Sequence, residues 1–379
     1  MVYASCLILV VMGLVTSNAD VDTAWMNSTL QNHFSKPRHH VTNPTYKAAA
    51  RDFIMNEFRS YGLDVYNQTF NTNLVTVKGV NLIGISKGKD FNTSKDQIVG
   101  VAAHYDTMNN TPGVDDNGAA VVAMLQTAKH MAKSRRDFTV IFVAFDFEEW
   151  KNLTEEACTY LSCGSRKFVS DWIPSFWATV PVLKGFIVMD TIANIQEKTD
   201  TQELPAGLEK FAPGVNNSVN SDGKRGDFLA AIGRPYDSDV LDAFVTSYAA
   251  LGKNEFELEK INISVLTDKT LTQQQFLIFN DLIRSDHYSF WKNGMRAIFL
   301  TDTANFRGYM KNCYHNSCDT LSQFTPKMFQ FLGKTTQALI DTVNKLAPST
   351  DACPLVVKAA SLTTLTTLLC IVFGFEAHF

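Results

Sequence analysis

The sequence lacks clusters of basic residues, internal repeats and low-complexity segments. Its 34 lysines and arginines are dispersed along 379 residues and are outnumbered by 38 acidic residues, which gives a formal net charge of -4. Because phosphate binding depends on clustered positive charge, this distribution argues against a nucleic-acid partner. With 45% hydrophobic residues, the chain can bury one large core or two smaller ones.

Basic residues are also absent from the first 19 residues, MVYASCLILVVMGLVTSNA. This segment nevertheless has a short apolar core, and the small residues Ser17 and Ala19 precede a cleavage site at Asp20. The pattern predicts a signal peptide over residues 1–19 and a secreted protein, with a buried N-terminal strand as the competing interpretation.

Cysteine is scarce, and four of the seven residues form two local pairs, Cys158 with Cys163 and Cys313 with Cys318. In an oxidising compartment, each pair is spaced to close a small disulfide loop. The chain also contains N-glycosylation sequons at Asn27, Asn67, Asn92, Asn109, Asn152, Asn216 and Asn262. Both features agree with secretion.

The C-terminal tail, residues 348–379, has an apolar run from Ala359 to Phe375. The run is short and rich in threonine for a spanning helix, which needs about 20 apolar residues. Small residues around Ser349 precede it, and no basic stop-transfer residues follow. This order predicts a GPI-attachment signal and membrane attachment through the tail, with a soluble or a single-span form as alternatives.

Residues 20–347 are predicted to form one domain in which helices and strands alternate. Apolar residues at helical spacing end at Gly62 in TYKAAARDFIMNEFRSYG, and further helices are predicted over Asn117–Lys133, Ser238–Leu251 and Pro326–Leu346. Strands are predicted in LDVYNQTF and LVTVKGVNLIGISKG. The continuous apolar runs in IVGVAAHYD, FTVIFVAFDFEEW, LKGFIVMDTI and RAIFLTD are typical of strands covered on both faces. The alternation predicts an α/β three-layer sandwich with a mainly parallel central mixed sheet flanked by helices.

The four buried runs end in HYD, DFEE, MDT and TDT. Since open α/β sheets place their chemistry at the carboxyl ends of strands, these side chains are expected to meet. The polar, Gly- and Asn-rich segment from Thr199 to Arg225 is expected to be a long surface loop.

Five residues at such strand ends and on later loops form a candidate metal-binding set: His104, Asp116, Glu149, Asp190 and His315. Zinc accepts imidazole nitrogen and carboxylate oxygen as ligands. A carboxylate placed between two ions bridges them in two-metal hydrolytic sites. Two cations would also offset the repulsion among Asp106, Asp115 and Asp116, which lie within eleven residues of one another.

Two further acids have separate predicted roles. Asp106 lies two residues after His104 on the same face of the strand, where it can accept the proton of the ring nitrogen that does not bind metal. Glu148 precedes Glu149, and successive side chains diverge at a strand end. One of the two can therefore bind metal while the other acts on water as a general base.

In order along the chain, HYD, PGVDDNG, FVAFDFEE, the MD of FIVMDT, RSDHYSFW, IFLTD and CYHNSCDTL resemble the motifs of the M28 zinc peptidases. These are co-catalytic metallo-aminopeptidases and their relatives. The likeness extends from about His104 to Leu321. It implies the zinc exopeptidase fold, two zinc ions per chain and a peptide substrate.

Carried over residue by residue, the resemblance implies that His104 and Asp190 bind one zinc ion. Glu149 and His315 would bind the other, and Asp116 would bridge the two.

The resemblance also implies roles for four other residues. Glu148 would be the general base and Asp106 the acid behind the first histidine. CYHNSCDTL looks most like the secreted bacterial aminopeptidases of the family, in which a disulfide braces this loop and the tyrosine stabilises the oxyanion. Tyr314 would take that role, and Arg284 would contact the substrate.

Other polar and aromatic residues are assigned structural or surface positions. Asp115 is expected to cap the helix that follows it, His287 to be structural, and Phe290 and Trp291 to lie in the core. Surface positions are expected for His33, His39, His40, His130, Glu155 and Glu156.

One departure from the family pattern bears on specificity. After Glu149, the usual short connection is replaced by WKNLTEEACTYLSCGSRKFV. Three classes of function stay open: a two-zinc aminopeptidase, a one-zinc glutaminyl-peptide cyclase on the same fold, and a non-catalytic receptor-type relative. The complete ligand set and the motif wording favour the first.

Overall fold

The computed structural model describes residues 21–72, 76–149, 163–177, 181–252, 256–264 and 272–351. Several sequence predictions concern residues outside these ranges: the signal peptide, the sequon at Asn152, the disulfide partner Cys158, the positions of Glu155 and Glu156, and the apolar part of the C-terminal tail.

Within the described ranges, eight strands form one mixed sheet. They are β1 (Asp64–Asn71), β2 (Lys78–Ser86), β3 (Gln97–His104), β4 (Thr139–Phe145), β5 (Val182–Met189), β6 (Phe228–Gly233), β7 (Glu257–Asn262) and β8 (Ala297–Thr301). Their spatial order is β1-β2-β4-β3-β5-β8-β6-β7. The central strands β4, β3, β5 and β8 are parallel neighbours, whereas β2 and β6 run antiparallel to them.

Helices cover both faces of this sheet. They are α1 (Thr23–His33), α2 (Pro44–Ser60), α3 (Ala120–Met131), α4 (Cys163–Lys167), α5 (Ile173–Phe176), α6 (Leu208–Phe211), α7 (Pro213–Ser221), α8 (Ser238–Ala250), α9 (Gln273–Phe279), α10 (His287–Lys292), α11 (Met310–Cys313) and α12 (Pro326–Leu346). Across the described part of the chain, none of these helices combines the length and apolar composition that a membrane span requires.

Alternate side chains of the central strands face two apolar layers. On β3, Val99 and Val101 pack into the layer formed with α2, α3, α8 and α12. Ile98 and Ala102 face the opposite layer, to which α5, α7 and α10 contribute. This arrangement confirms the predicted α/β fold with helices on both faces of a mixed sheet, and it explains why the central strands read as uninterrupted apolar runs.

The first long helix shows how local sequence sets an element's limits. The Asn43 side chain accepts a hydrogen bond from the Tyr46 N–H, and Pro44 occupies the first turn, where its missing N–H costs nothing. The helix ends at Ser60, and Gly62 follows with a φ of +83°. Glycine adopts this left-handed conformation without a steric penalty, so Gly62 stops the helix as predicted.

The prediction of a long surface loop from Thr199 to Arg225 is wrong. The segment contains α6 and α7, and Leu208, Val215 and Val219 are buried in the core layer beside β6. Only a few apolar residues mark these short helices in a polar stretch. These apolar residues are buried by tertiary contact with the side of the sheet next to β6. The local sequence does not reveal that contact. The short strands β6 and β7 were also not predicted.

The histidines predicted at the surface are half-buried: His33, His39, His40 and His130. His33 stacks on Phe53 with a centroid distance of 3.7 Å, and the His40 ring lies 4.8 Å from Phe147. The N-terminal segment is therefore packed onto the domain.

Candidate metal centre

The carboxyl ends of the central parallel strands bring the predicted residues together. His104 is the last residue of β3 and pairs in register with Phe145, the last residue of β4. Asp190 directly follows β5, and Glu148 and Glu149 follow β4 after a short turn. Residues more than 40 positions apart thus share one edge because parallel pairing aligns the strand ends.

Two groups of potential ligands share Asp116. On one side, His104 Nε2 lies 3.4 Å from Asp116 Oδ1 and 3.5 Å from Asp190 Oδ1. On the other side, His315 Nε2 lies 3.4 Å from Asp116 Oδ2 and 2.8 Å from Glu149 Oε1. Within each group, the ligand atoms are all within 4.8 Å of one another. The two oxygens of one carboxylate therefore face two separate ligand groups.

Several buried polar atoms at this centre make no hydrogen bond. Within the described ranges, His104 Nε2, both carboxylate oxygens of Asp116 and Asp190 Oδ1 are buried without a hydrogen bond. Burying an ionised carboxylate without a partner is costly, so such groups are normally paired or bound to a metal. Imidazole and carboxylate in these numbers fit zinc, with three protein ligands on each side.

The electrostatics of the side chains favour a positive charge at each of the two ligand groups. Although burial favours the neutral acid, His104 and His315 hold the pKa of the Asp116 carboxyl well below its ordinary value. Conversely, burial lowers the pKa of His315, but Glu149 and Asp116 outweigh it and raise that pKa to about 10. A cation at each group would supply this charge while leaving the imidazoles neutral and able to act as ligands.

Glu148 stands beside the ligands without belonging to either group. Burial, with the nearby Glu149 and Asp190, raises the pKa of the Glu148 carboxyl well above its ordinary value, although His104 acts in the opposite direction. The Asp106 carboxylate accepts hydrogen bonds from the backbone N–H groups of Glu148 (3.2 Å) and Glu149 (3.1 Å). It therefore fixes the segment that carries both acids.

The relation between Asp106 and His104 differs in detail from the expected one. His104 Nδ1 lies 3.2 Å from the backbone oxygen of Asp106 and 3.7 Å from its carboxylate Oδ1. The backbone oxygen is thus the nearer acceptor for the ring proton.

Tyr314 and Arg284 form the side of the centre next to His315. The Tyr314 and His315 rings stack with a centroid distance of 3.7 Å, and the Arg284 guanidinium lies 5.2 Å from the centre of the Tyr314 ring. Arg284 also donates to Asn305 Oδ1 at 2.5 Å. Burial raises the pKa of Tyr314 well above its ordinary value against the opposing charge of Arg284, so the phenol stays an O–H donor.

A disulfide joins Cys313 and Cys318 as predicted and closes the loop that carries His315. Two neighbouring predictions have different outcomes. His287 is structural, because its Nε2 lies 2.9 Å from the Leu282 carbonyl oxygen inside the core. The prediction that Asp115 caps a helix is wrong: its buried carboxylate accepts the Ala193 N–H at 3.0 Å. The helix begins later than predicted, which leaves Asp115 free to bind the adjacent loop.

Asn117 is a supporting residue that sequence reasoning assigned only to a helix start. Its side chain donates to the Met189 carbonyl (2.9 Å) and accepts the Thr191 N–H (3.2 Å), and so holds Asp190 from both sides. The peptide bond that precedes it, after Asp116, is cis. Position within DDNG was the one available signal, since Asn117 directly follows a predicted ligand.

The chain matches a known protein family over most of its length. A sequence model of peptidase family M28 matches residues 81–242 and 227–340. The chain belongs to peptidase family M28. Aminopeptidase YwaD of Bacillus subtilis is 41% identical over 69 residues, 18% of this chain and 15% of that protein. The relatives found by sequence are matched over 14 to 62% of their own length, so the M28 chain spans less than two thirds of each.

Two solved structures with different named activities are similar in fold to this chain. A leucine aminopeptidase precursor from Bacteroides thetaiotaomicron is 15% identical, with 86% of this chain and 98% of that one covered at a TM-score of 0.56. A glutaminyl cyclase from the same organism is 16% identical, with 85% and 97% covered at a TM-score of 0.55. At these identities the likeness establishes the fold alone, and it confirms the zinc exopeptidase architecture predicted from the motifs.

Proposed function

We propose that this M28 chain is a secreted or surface-anchored aminopeptidase that uses two zinc ions to remove N-terminal residues from peptides. The observation that carries the proposal is the pair of ligand groups sharing Asp116, with the buried Glu148 beside them. Such an arrangement suits hydrolysis by an activated water, because it combines two cation sites with a separate proton acceptor.

The zinc ions would be held by the two groups already described, with Asp116 between them. When bound, they lower the pKa of water and polarise the scissile carbonyl. Unpartnered atoms on His104, Asp116 and Asp190 support this assignment, since each offers a buried lone pair to the same small volume.

Glu148 would accept the proton of the attacking water and then pass it to the departing amine. Burial raises its pKa above the ordinary value, which makes the carboxylate a stronger proton acceptor. Asp106 keeps the Glu148 backbone in place through the N–H bond at 3.2 Å.

Tyr314 would donate its O–H to the carbonyl oxygen as negative charge develops there. Stacking on His315 and the nearby Arg284 guanidinium restrict the position of the ring. Arg284, held by Asn305, would contact a polar group of the substrate near this hydroxyl.

The first experiment measures zinc per chain and hydrolysis of aminoacyl substrates on the same preparation. Close to two zinc ions per chain and release of the N-terminal residue are expected. Two zinc ions with no hydrolysis of any aminoacyl substrate would contradict the aminopeptidase proposal.

A glutaminyl-peptide cyclase is the second candidate. The long connection after Glu149 and a solved cyclase of the same fold support it. About one zinc ion per chain, together with cyclisation of N-terminal glutamine, would favour the cyclase. Absence of zinc binding would favour a receptor-type relative.

Secretion and anchoring form a separate part of the proposal. Five described sequon asparagines are exposed: Asn27, Asn67, Asn92, Asn109 and Asn262. The disulfide at Cys313 also suits an oxidising compartment. Expression in cells that add glycans and GPI anchors is expected to give surface protein that a phosphatidylinositol-specific phospholipase releases. Surface protein that resists this enzyme would contradict the anchor, and unglycosylated intracellular protein would contradict secretion.

A further inference from the structure

Asp319 lies outside both ligand groups but is bonded directly to the segment that contains Asp116. Its carboxylate is completely buried. Oδ1 accepts the backbone N–H of Asp115 and Oδ2 accepts that of Asp116, both at 3.0 Å. One carboxylate therefore holds two consecutive peptide groups, the second of which belongs to the shared ligand.

The same loop also supplies His315. Asp319 follows His315 by four residues, and the disulfide between Cys313 and Cys318 closes the loop just before Asp319. His315 Nε2 faces Asp116 Oδ2 at 3.4 Å. The loop thus contacts Asp116 twice, once at its side chain through the histidine and once at its backbone through the aspartate.

Backbone restraint matters more for Asp116 than for the terminal ligands. A shared carboxylate must present each oxygen to a different ligand group, so a rotation that improves one side worsens the other. The two N–H bonds to one planar carboxylate fix the backbone from which the Asp116 side chain extends, and bonds to a charged acceptor are stronger than those between neutral groups. Residues that orient ligands in this way commonly tune metal affinity.

We propose that Asp319 is a positioning residue that sets the orientation of Asp116 and thereby couples the loop carrying His315 to the shared ligand. The inference rests on the proposed two-zinc function. It assigns Asp319 no contact with the substrate. Its role is to present Asp116 to both ligand groups before the metal arrives.

The test compares Asp319→Asn with Asp96→Asn in the full chain. Asn keeps the size of the side chain, but its amide group cannot accept the second N–H. Asp96 is an equally buried aspartate that accepts two hydrogen bonds from Thr139, at the opposite edge of the sheet. Zinc affinity is measured by competition with a chelator, ligand geometry by the absorption spectrum of the Co²⁺ form, and stability by the unfolding of the metal-free protein.

Asp319→Asn is expected to bind zinc about 10- to 100-fold more weakly and to shift the Co²⁺ spectrum. Its kcat should fall with little change in KM. Asp96→Asn should keep the wild-type zinc affinity and spectrum, although both variants lose stability. Wild-type affinity and spectrum in Asp319→Asn would overturn the proposal.

Hydrogen exchange on the wild-type chain gives a measurement that needs no variant. The amides of Asp115 and Asp116 are expected to be protected in the metal-free protein as well as after zinc addition. Rapid exchange of both amides without zinc would overturn the proposal. If the wild type binds zinc but hydrolyses no aminoacyl substrate, the proposed function fails, whereas the affinity and exchange measurements still decide the role of Asp319.

Discussion

Charged side chains are buried at both the amino ends and the carboxyl ends of the central parallel strands. Their hydrogen-bonding partners differ between the two ends. At the amino ends of the parallel strands, the Asp96 carboxylate accepts the Thr139 N–H (3.2 Å) and hydroxyl (2.8 Å). On the same edge, Arg234 Nε donates to Asp237 Oδ2 at 2.8 Å, and Arg234 Nη2 donates to Asp237 Oδ1 at 3.0 Å. Each of these two carboxylates is paired with protein donors.

At the carboxyl ends of the strands, side chains hold the backbone around the ligands in place. Several ligand atoms themselves make no hydrogen bond. Hydrogen bonds to the backbone next to the ligands are formed by the side chains of Asp106, Asn117 and Asp319. Among the described residues, Asp116 Oδ1 and Oδ2 and His104 Nε2 stay without a hydrogen bond. Burial of charge alone therefore does not identify a site. Buried lone pairs that converge without a hydrogen bond do, because their burial is costly until a cation binds.

The largest effect is expected for turnover in Glu148→Gln. The amide cannot take the proton of water, so kcat should fall by about 10²- to 10⁴-fold while zinc per chain is unchanged. The exposed Glu209→Gln serves as a matched control with wild-type kcat. Substantial residual turnover in the Glu148 variant would remove this residue from the mechanism.

Asp237→Ala tests the ion pair at the amino ends of the parallel strands, because it leaves the buried Arg234 guanidinium without its carboxylate. Unfolding free energy should fall by about 3–5 kcal/mol, with zinc content unchanged. The control is Asp239→Ala, which breaks a solvent-exposed pair with Arg296 and should cost at most about 1 kcal/mol. Denaturant titration measures both, and equal losses would mean that burial does not separate the two pairs.

Zinc should stabilise the protein only when the full set of ligands at the carboxyl ends of the strands is present. At free zinc 100 times the dissociation constant of a site, binding adds about 2.7 kcal/mol to the unfolding free energy. Thermal unfolding with and without a chelator measures this gain. Asp116→Ala, which removes the shared ligand, should not respond to zinc, and a wild-type response in that variant would show that Asp116 does not bind the ion.

The smallest effect is the pH dependence of the metal-free protein. His315 has a folded pKa of about 10, above its ordinary 6.5, so its contribution to stability is complete below about pH 6.5 and is lost as pH rises through about 10. Burial raises the pKa of Glu149 to about 7, which acts in the same direction at lower pH.

The unfolding temperature of the metal-free protein should therefore decrease from about pH 6 to about pH 10. In His315→Gln, the alkaline part of this decrease should flatten. An increase in stability over the same range would show that the imidazole is not held protonated by its carboxylate neighbours.

Much of the fold could be predicted because the central strands are uniformly apolar and the long helices have clear limits. The helix end at Gly62 and the strand QIVGVAAH can both be predicted from the local sequence. The helices α6 and α7 do not, since Val215 and Val219 are two apolar residues in a polar segment. Their conformation depends on the sheet flank they cover, and such tertiary contacts override weak local preferences.

The ligand residues could be named in advance because strand ends and motif order mark them. Supporting residues were harder to assign. Asp319 and Asn117 lie inside quoted motifs, but their partners are backbone groups 72 to 204 positions away in the chain. Asp115 was assigned to a helix cap because that is the common local role of an aspartate before a helix.

The α/β alternation, the apolar central strands and the chemical types of the predicted metal ligands could all be inferred from the amino-acid sequence. These follow from periodicity and side-chain chemistry, which act locally. Tertiary structure decided the rest: which strands are neighbours, which atoms converge on Asp116, and which carboxylates serve as supports and which are left for a cation. Those outcomes depend on strand register and on backbone partners brought together only by folding.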